Sequence, residues 1–191
     1  INQVVVTTDD QNIADIRSQL GAETPFLRQP ELANDLSPTI DTVIHAIEYF
    51  KRIDVEFDAV CLLQPTVPFR KASDIDAAIG KFKSIAADSL VTVSKVPDKY
   101  NPHWTFVREE NSKNLVIATG DKEIVSRRQD LPEAFHRDGS IYLTKTEIIL
   151  TRKSLYGEKV SFFETSEGVD INIDTLEDWA KAENYIVENG G

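Results

Sequence analysis

The sequence contains no methionine and a single cysteine, Cys61, among its 191 residues. One thiol closes no intramolecular disulfide, so a disulfide-stapled scaffold is excluded and the reducing interior of a cell, a cytoplasmic location, is expected. Cys61 sits in the apolar run FDAVCLL, where a small core residue is expected rather than a nucleophile. No apolar run approaches the ~20 residues that span a bilayer, and the N-terminus is not signal-like, so no membrane partner is expected. Excess positive charge is lacking too: the net charge is −11, which repels nucleic acid and acidic membranes. The three histidines, His45, His103 and His136, show no metal-ligand spacing, and no serine or cysteine triad pattern occurs.

Even an initiator methionine is missing, and the chain opens on INQVVVTTDD, which reads as a strand already under way. Either residues precede Ile1 in the physiological protein, or modified methionines are not spelled out. What is present describes a soluble globular domain of ordinary size, with 41% hydrophobic and 28% charged residues.

Along the chain, Val4-Val5-Val6 is β-branched and ends at capping side chains, Thr7 to Asp10. DDQNIADIRSQLG places Ile13, Ile16, Arg17 and Leu20 at helical spacing and closes on Gly21. TIDTVIHAIEYFKR predicts a second helix, FDAVCLL a strand, ASDIDAAIGKFKSIAA a third helix and SLVTVSK another strand. SIYLT and KVSFFE read as later strands, and TLEDWAKAENYIVEN as a closing helix with Leu176, Trp179, Ala182 and Ile186 on one face. This alternation predicts an α/β sandwich with a largely parallel sheet. Between Pro97 and about residue 127 the pattern loosens, with a short strand-like piece at Leu115-Val116-Ile117, so an inserted arm is expected there. One domain covering 1–191, with 97–127 as its excursion, is the expected organisation.

Three stretches carry candidate chemistry. LLQPTVPFR breaks a buried strand with Pro65 and Pro68 and sets Gln64, Thr66 and Arg70 beyond it, where open α/β sheets bind ligands. The alternative is a tight connection with Gln64 capping backbone groups. VDINIDTLEDW would, as a strand, project Asp170, Asn172 and Asp174 from one face and bury Ile171 and Ile173 on the other. Oxygen ligands on one edge suit a hard cation such as Mg²⁺; solvent-facing polar positions are the alternative. Thr175 to Asp178 resembles a capping box, which assigns Asp178 to the helix start. SRRQDLPEAFHRDGSIY gathers Arg127, Arg128, His136 and Arg137 in an otherwise acidic chain, and arginine forks suit carboxylate or phosphate. Surface ion pairs are the alternative. Asp138-Gly139 reads as a turn entering a strand.

Together these stretches resemble the acylneuraminate cytidylyltransferase family, which activates sialic and related nonulosonic acids as CMP-sugars. VVVTTDDQNIA is similar to the family's VVVSTDDEEIA, FLRQPELANDLSPT to its FLRPAELA-x-D, and LLQPTVPFR to LLQPTSPLR. RRQDLPEAFHRDGSIY resembles RRQ-x-LP-x-A(F/Y)-R-x-NGAIY, and INIDTLEDWAKAE resembles IDIDTELDL-x-x-AE. The resemblance implies a Rossmann-like three-layer sandwich of the nucleotide-diphospho-sugar transferase type, and a homodimer whose arm near 97–127 reaches the neighbouring subunit's site. It implies that CTP and a nonulosonic acid give the CMP-sugar and pyrophosphate, with Mg²⁺ as cofactor. It places Arg28, Thr39 and Gln64 on CTP, and Arg128, His136, Arg137 and Tyr142 on the sugar acid. Asn172 and Asp174 fall on the metal pair, and Asp174 and Arg128 become the candidate catalytic residues.

Departures from the pattern are Val67 for a serine, His136 for an arginine, Asp138 for an asparagine, Asn172 for a metal aspartate and Trp104 for a lysine. They imply an altered sugar-acid preference. The family's ARxGSKGxxxKN phosphate loop and the strand before it have no counterpart here, and the physiological protein is expected to contain them. A rival reading is a non-catalytic nucleotide- or sugar-binding protein of the same fold. A nucleotidyltransferase acting on another sugar or polyol phosphate is a further rival, against which RRQDLPEAF speaks.

Overall fold

A computed structural model describes residues 1–34, 36–165 and 171–189. Its elements, in chain order, are α1 (Gln11–Gln19), α2 (Thr39–Arg52), β1 (Ala59–Leu62), α3 (Ala72–Ser84), β2 (Ser89–Lys95), β3 (Phe106–Arg108), β4 (Leu115–Ile117), β5 (Phe135–Lys145), α4 (Thr146–Arg152), β6 (Val160–Glu164) and α5 (Leu176–Glu188). The chain forms two compact units, interleaved in sequence. The first holds residues 1–62, 86–89 and 142–160; the second holds 63–85, 90–141 and 161–191. Four strands follow the order β1-β5-β2-β6, and β3 pairs with β4 alone.

In the first unit β1 runs antiparallel to the end of β5, with Ala59 opposite Lys145 and Leu62 opposite Tyr142. Val5 and Thr8 make isolated parallel bridges to Glu23 and Leu27, so the pairing is mixed. The core forms where the apolar stripe of α2 meets α4: Val43, Ile47 and Ile149 are buried, with Ile40, Ile44, Val60 and Leu150 packed on them. Phe50 meets Phe57 edge-on at 5.3 Å and adds a rigid aromatic wall.

In the second unit β2 is buried from Leu90 through Val93, as a strand covered on both faces requires. Ile141 on β5 is fully buried beside it, its backbone N–H donating to Thr92 Oγ1 at 2.8 Å. The expected arm contains the β3–β4 hairpin, registered Phe106 to Ile117 and Arg108 to Leu115. His103 Nδ1 lies 2.9 Å from Asp121, and Trp104 Nε1 donates to the carbonyl of Val125, which tie the arm's segments together.

Several expectations are corrected. Val4–Val6 makes a single bridge instead of a strand, and residues 171–174 form no strand, because neither segment has a continuous partner. α1 buries Ala14 and leaves Ile13, Ile16 and Leu20 exposed. On α5 the buried position is Ala182, while Leu176, Trp179 and Ile186 are exposed. That helix turns Tyr185 toward Phe69 at 4.8 Å, so its packed face is rotated from the apolar stripe. Periodicity identifies a stripe but does not say which neighbour covers it. α4 has no counterpart in the expected elements.

Candidate active site

The loop after β1 is held by its own arginine. Arg70 Nε donates to the carbonyl of Ser140 at 3.2 Å, and Arg70 Nη2 donates to the carbonyl of Gln64. Two backbone carbonyls thus engage the guanidinium, as its planar fork allows. Phe69 packs on Tyr185 and Val67 is buried, so the loop is anchored at both ends while the Gln64 side chain remains part-exposed.

Opposite that amide, β5 departs from regular strand geometry. Asp138-Gly139 lies inside the strand instead of at a turn before it, and Gly139 has φ +77°. A Cβ built on Gly139 would stand 3.6 Å from Gln64 Oε1 and 3.5 Å from Val67 Cγ2, which is ordinary contact. The left-handed φ, not space, demands glycine here. The carboxylate of Asp138 accepts from Thr92 Oγ1 at 2.6 Å, the Ser140 N–H at 2.8 Å and Thr165 Oγ1 at 3.0 Å.

The segment carrying Asn172 and Asp174 docks on the same loop: the Ile173 N–H donates to the carbonyl of Thr66 at 2.8 Å. Ile171 and Ile173 are half-buried and Asn172 and Asp174 exposed, so the expected alternation of faces survives without a strand. Asn172 Nδ2 donates to Asp174 Oδ2. Asp170 lies outside the described residues. Just beyond, Thr175 and Asp178 form the expected capping box of α5. The Thr175 hydroxyl first, and Lys181 after it, hold the Asp178 carboxyl below its ordinary value.

The basic residues lie on two elements, the 3-10 turn at Arg128–Asp130 with its cap Arg127, and β5. Arg128 begins a 3-10 turn and donates from Nε to Asp98 while remaining largely exposed. Arg127 pairs with Asp130 at 2.6 Å. His136 and Arg137 are exposed on β5. Tyr142 belongs to the first unit and is 2% exposed, its ring edge-on to Tyr156 at 6.2 Å.

Also in the first unit, Arg28 Nη2 pairs with Asp9 Oδ1 at 3.3 Å, while its buried Nε has no acceptor among the described residues. A buried donor left unmade costs about 1–3 kcal/mol. Thr39 is exposed at the first position of α2, whose N-cap, Pro38, supplies no side-chain cap. Sequence reasoning passed over Thr92, Thr165 and Asp98 as members of these networks. Only Asp138-Gly139 gave a signal, and it was read as a turn.

The sequence profile of the cytidylyltransferase family matches residues 1–188. The chain belongs to the cytidylyltransferase family. It is 36% identical over 196 aligned residues to the CMP-N,N'-diacetyllegionaminic acid synthase of Legionella pneumophila, covering 98% of this chain and 79% of that protein. The pseudaminic acid cytidylyltransferase of Campylobacter jejuni is 28% identical over 177 residues, covering 93% and 75%. The solved structure of a CMP:2-keto-3-deoxy-manno-octonic acid synthetase complexed with CTP matches with a TM-score of 0.66 at 15% identity, covering 99% of this chain and 82% of that one. That likeness establishes the Rossmann-like α/β fold of the cytidylyltransferase.

For this cytidylyltransferase a Mg²⁺ site has to be judged on its donors. Among the described residues no group of three or more His, Cys, Asp or Glu could hold a metal ion. Asn172 and Asp174 nonetheless present an amide and a carboxylate side by side at the surface. Mg²⁺ prefers one or two such protein oxygens, completed by phosphate and water. The pair fits that requirement. Among the described residues no helix is long and apolar enough to cross a membrane.

Proposed function

We propose that this cytidylyltransferase couples CTP to a nonulosonic acid, giving the CMP-sugar and pyrophosphate. The observation that carries the reading is the shared seat of two motifs: the loop bearing Gln64 and the segment bearing Asn172 and Asp174 meet through the Thr66–Ile173 hydrogen bond. The Gln64 amide offers a donor and an acceptor to the edge of the cytosine. Arg28, with its unmet Nε, and Thr39, at the start of α2, are the further residues that the motif resemblance assigns to CTP. Arg128, His136 and Arg137 bind the sugar acid, its carboxylate accepting from an arginine fork. Arg128 then exchanges Asp98 for that carboxylate. Tyr142, buried against Tyr156, is the remaining residue that the resemblance places on the acid.

Asn172 and Asp174 hold Mg²⁺, which supplies charge neutralisation of the triphosphate. In the reaction the anomeric hydroxyl oxygen of the acid bonds to the α-phosphorus, the bond from that phosphorus to the β-phosphate oxygen breaks, and the hydroxyl proton passes to solvent. Binding and orientation by the protein's side chains provide most of the rate, as phosphoryl chemistry generally requires.

We place the enzyme in the cytoplasm as a homodimer. The β3–β4 hairpin exposes Phe106, Val107, Leu115 and Val116, more apolar surface than an isolated two-stranded ribbon sustains in water. A second copy of this chain is the proposed cover, and a monomeric mass in sedimentation equilibrium would remove it. The central test is pyrophosphate release from CTP and Mg²⁺ across a panel of nonulosonic acids. Release with one acid supports the reading, and Gln64→Ala should then raise the KM for CTP. CTP binding with no release across the panel would favour a non-catalytic binder.

A further inference from the structure

We propose that Asp138 is a positioning residue for nucleotide recognition, setting the kink of β5 beside the Gln64 amide. The inference rests on the reading of Gln64 as the contact to the base. Asp138 immediately precedes Gly139, the residue facing Gln64 Oε1 and Val67 Cγ2. Its carboxylate gathers three donors from three parts of the second unit: Thr92 on β2, Ser140 on β5 itself, and Thr165 after β6. Thr92 is fully buried; its hydroxyl accepts from the Ile141 N–H at 2.8 Å, and of its two acceptors Asp138 at 2.6 Å is nearer than the Ile141 carbonyl at 3.2 Å. Ser140 offers its N–H to Asp138 and its carbonyl to Arg70, and Arg70 reaches back to the carbonyl of Gln64. The bonds run in a chain from Asp138 through Ser140 and Arg70 to the Gln64 backbone, and a Cβ added at Gly139 would lie in ordinary contact with the Gln64 side chain.

Glycine adopts a left-handed φ without strain but is equally free to leave it, so the kink at Gly139 stays in place only where its neighbours fix it. Three hydrogen bonds to one carboxylate supply that constraint, and an ionised acceptor makes them stronger than neutral ones. Without them the kink relaxes toward regular strand geometry and carries Gly139 away from the amide. The expected consequence is selective. Nucleotide binding weakens more than binding of the acid, whose proposed partners His136 and Arg137 precede the kink on the same strand.

The test measures KM for CTP and for the accepted sugar acid in Gln64→Ala, Asp138→Ala, their double variant, Asp138→Asn and Thr165→Val. Asp138→Ala should raise the CTP KM roughly threefold to tenfold, the range set by one lost hydrogen bond, and change the acid's KM by less. In the Gln64→Ala background it should add nothing, because the two act as one unit. Asp138→Asn should stay near wild type, since its carbonyl keeps Thr92 and Ser140 and its amide can donate to the Thr165 hydroxyl. Thr165→Val should fall in between, and decides the matter if Asp138→Ala does not fold. Multiplying effects in the double variant, or wild-type CTP KM in both Asp138→Ala and Thr165→Val, overturn the positioning role while the base contact stands. If Gln64→Ala itself leaves the CTP KM unchanged, the base-contact reading fails and this inference fails with it.

Discussion

The backbone N–H of Ile173 donates to the carbonyl of Thr66 at 2.8 Å, joining two motifs more than one hundred positions apart in the chain. Through that bond the residues proposed to hold the metal are referenced to the loop proposed to read the base. Each motif alone has a bland explanation; their contact removes coincidence from the pairing.

The metal assignment predicts opposite outcomes for neighbouring substitutions. Asp174→Ala should abolish Mg²⁺-dependent turnover with the fold intact, and near-normal turnover would sink the assignment. Asn172→Asp should lower the Mg²⁺ concentration needed for half-maximal rate several-fold, because a carboxylate replaces an amide ligand. Without Mg²⁺ the same change sets two carboxylates side by side where an amide now donates to Asp174, so its melting temperature should fall and recover on adding metal.

Arg70 should prove structural. Arg70→Ala removes the bonds to Ser140 and Gln64 and should cost about 1–3 kcal/mol in urea unfolding. Arg70→Lys should recover little of this, since an ammonium cannot reproduce the fork. A variant as stable as wild type, with only the sugar-acid KM raised, would show that Arg70 binds substrate instead.

Gly139→Ala tests the kink directly. A Cβ meets only ordinary contacts there, so the penalty is backbone strain from φ +77°, about 1–2 kcal/mol. Unchanged stability in urea would mean that the strand relaxes at this position without loss.

The start of α5 should respond to acid. The Asp178 carboxyl is held below its ordinary value of 3.8 by the Thr175 hydroxyl and then by Lys181. A depressed carboxyl contributes stability that is present above the unfolded pKa and is lost as the pH falls through the folded one. Asp178→Asn should therefore flatten the wild-type loss of stability below about pH 4, read as unfolding midpoints across acidic buffers. Parallel pH profiles for the two proteins would contradict the capping role.

Much of the secondary structure was legible. α2 begins and ends at the expected residues because Ile40, Val43, Ile44 and Ile47 repeat at helical spacing and really are covered, by α4 and β1. The capping box of α5 was legible because it is local chemistry between Thr175 and Asp178, only three positions apart. Where a stripe needs a distant partner the sequence does not name it: α1 and α5 expose apolar residues that stand at helical spacing.

Composition and local patterning by themselves determined the alternating α/β class, the main helices and strands, and the ordered motifs that resemble those of a cytidylyltransferase. These depend on short-range sterics, capping and hydrophobic period, which neighbouring residues set among themselves. Only the tertiary structure decided that Arg70 serves the backbone, that Asp138 ties three segments together, and that Ile173 seats the metal pair on the base-reading loop. The bonds Arg70–Ser140, Thr92–Asp138, Thr165–Asp138 and Ile173–Thr66 join residues far apart in the chain, and a hydrogen bond's partner is set by where the folded chain brings each group.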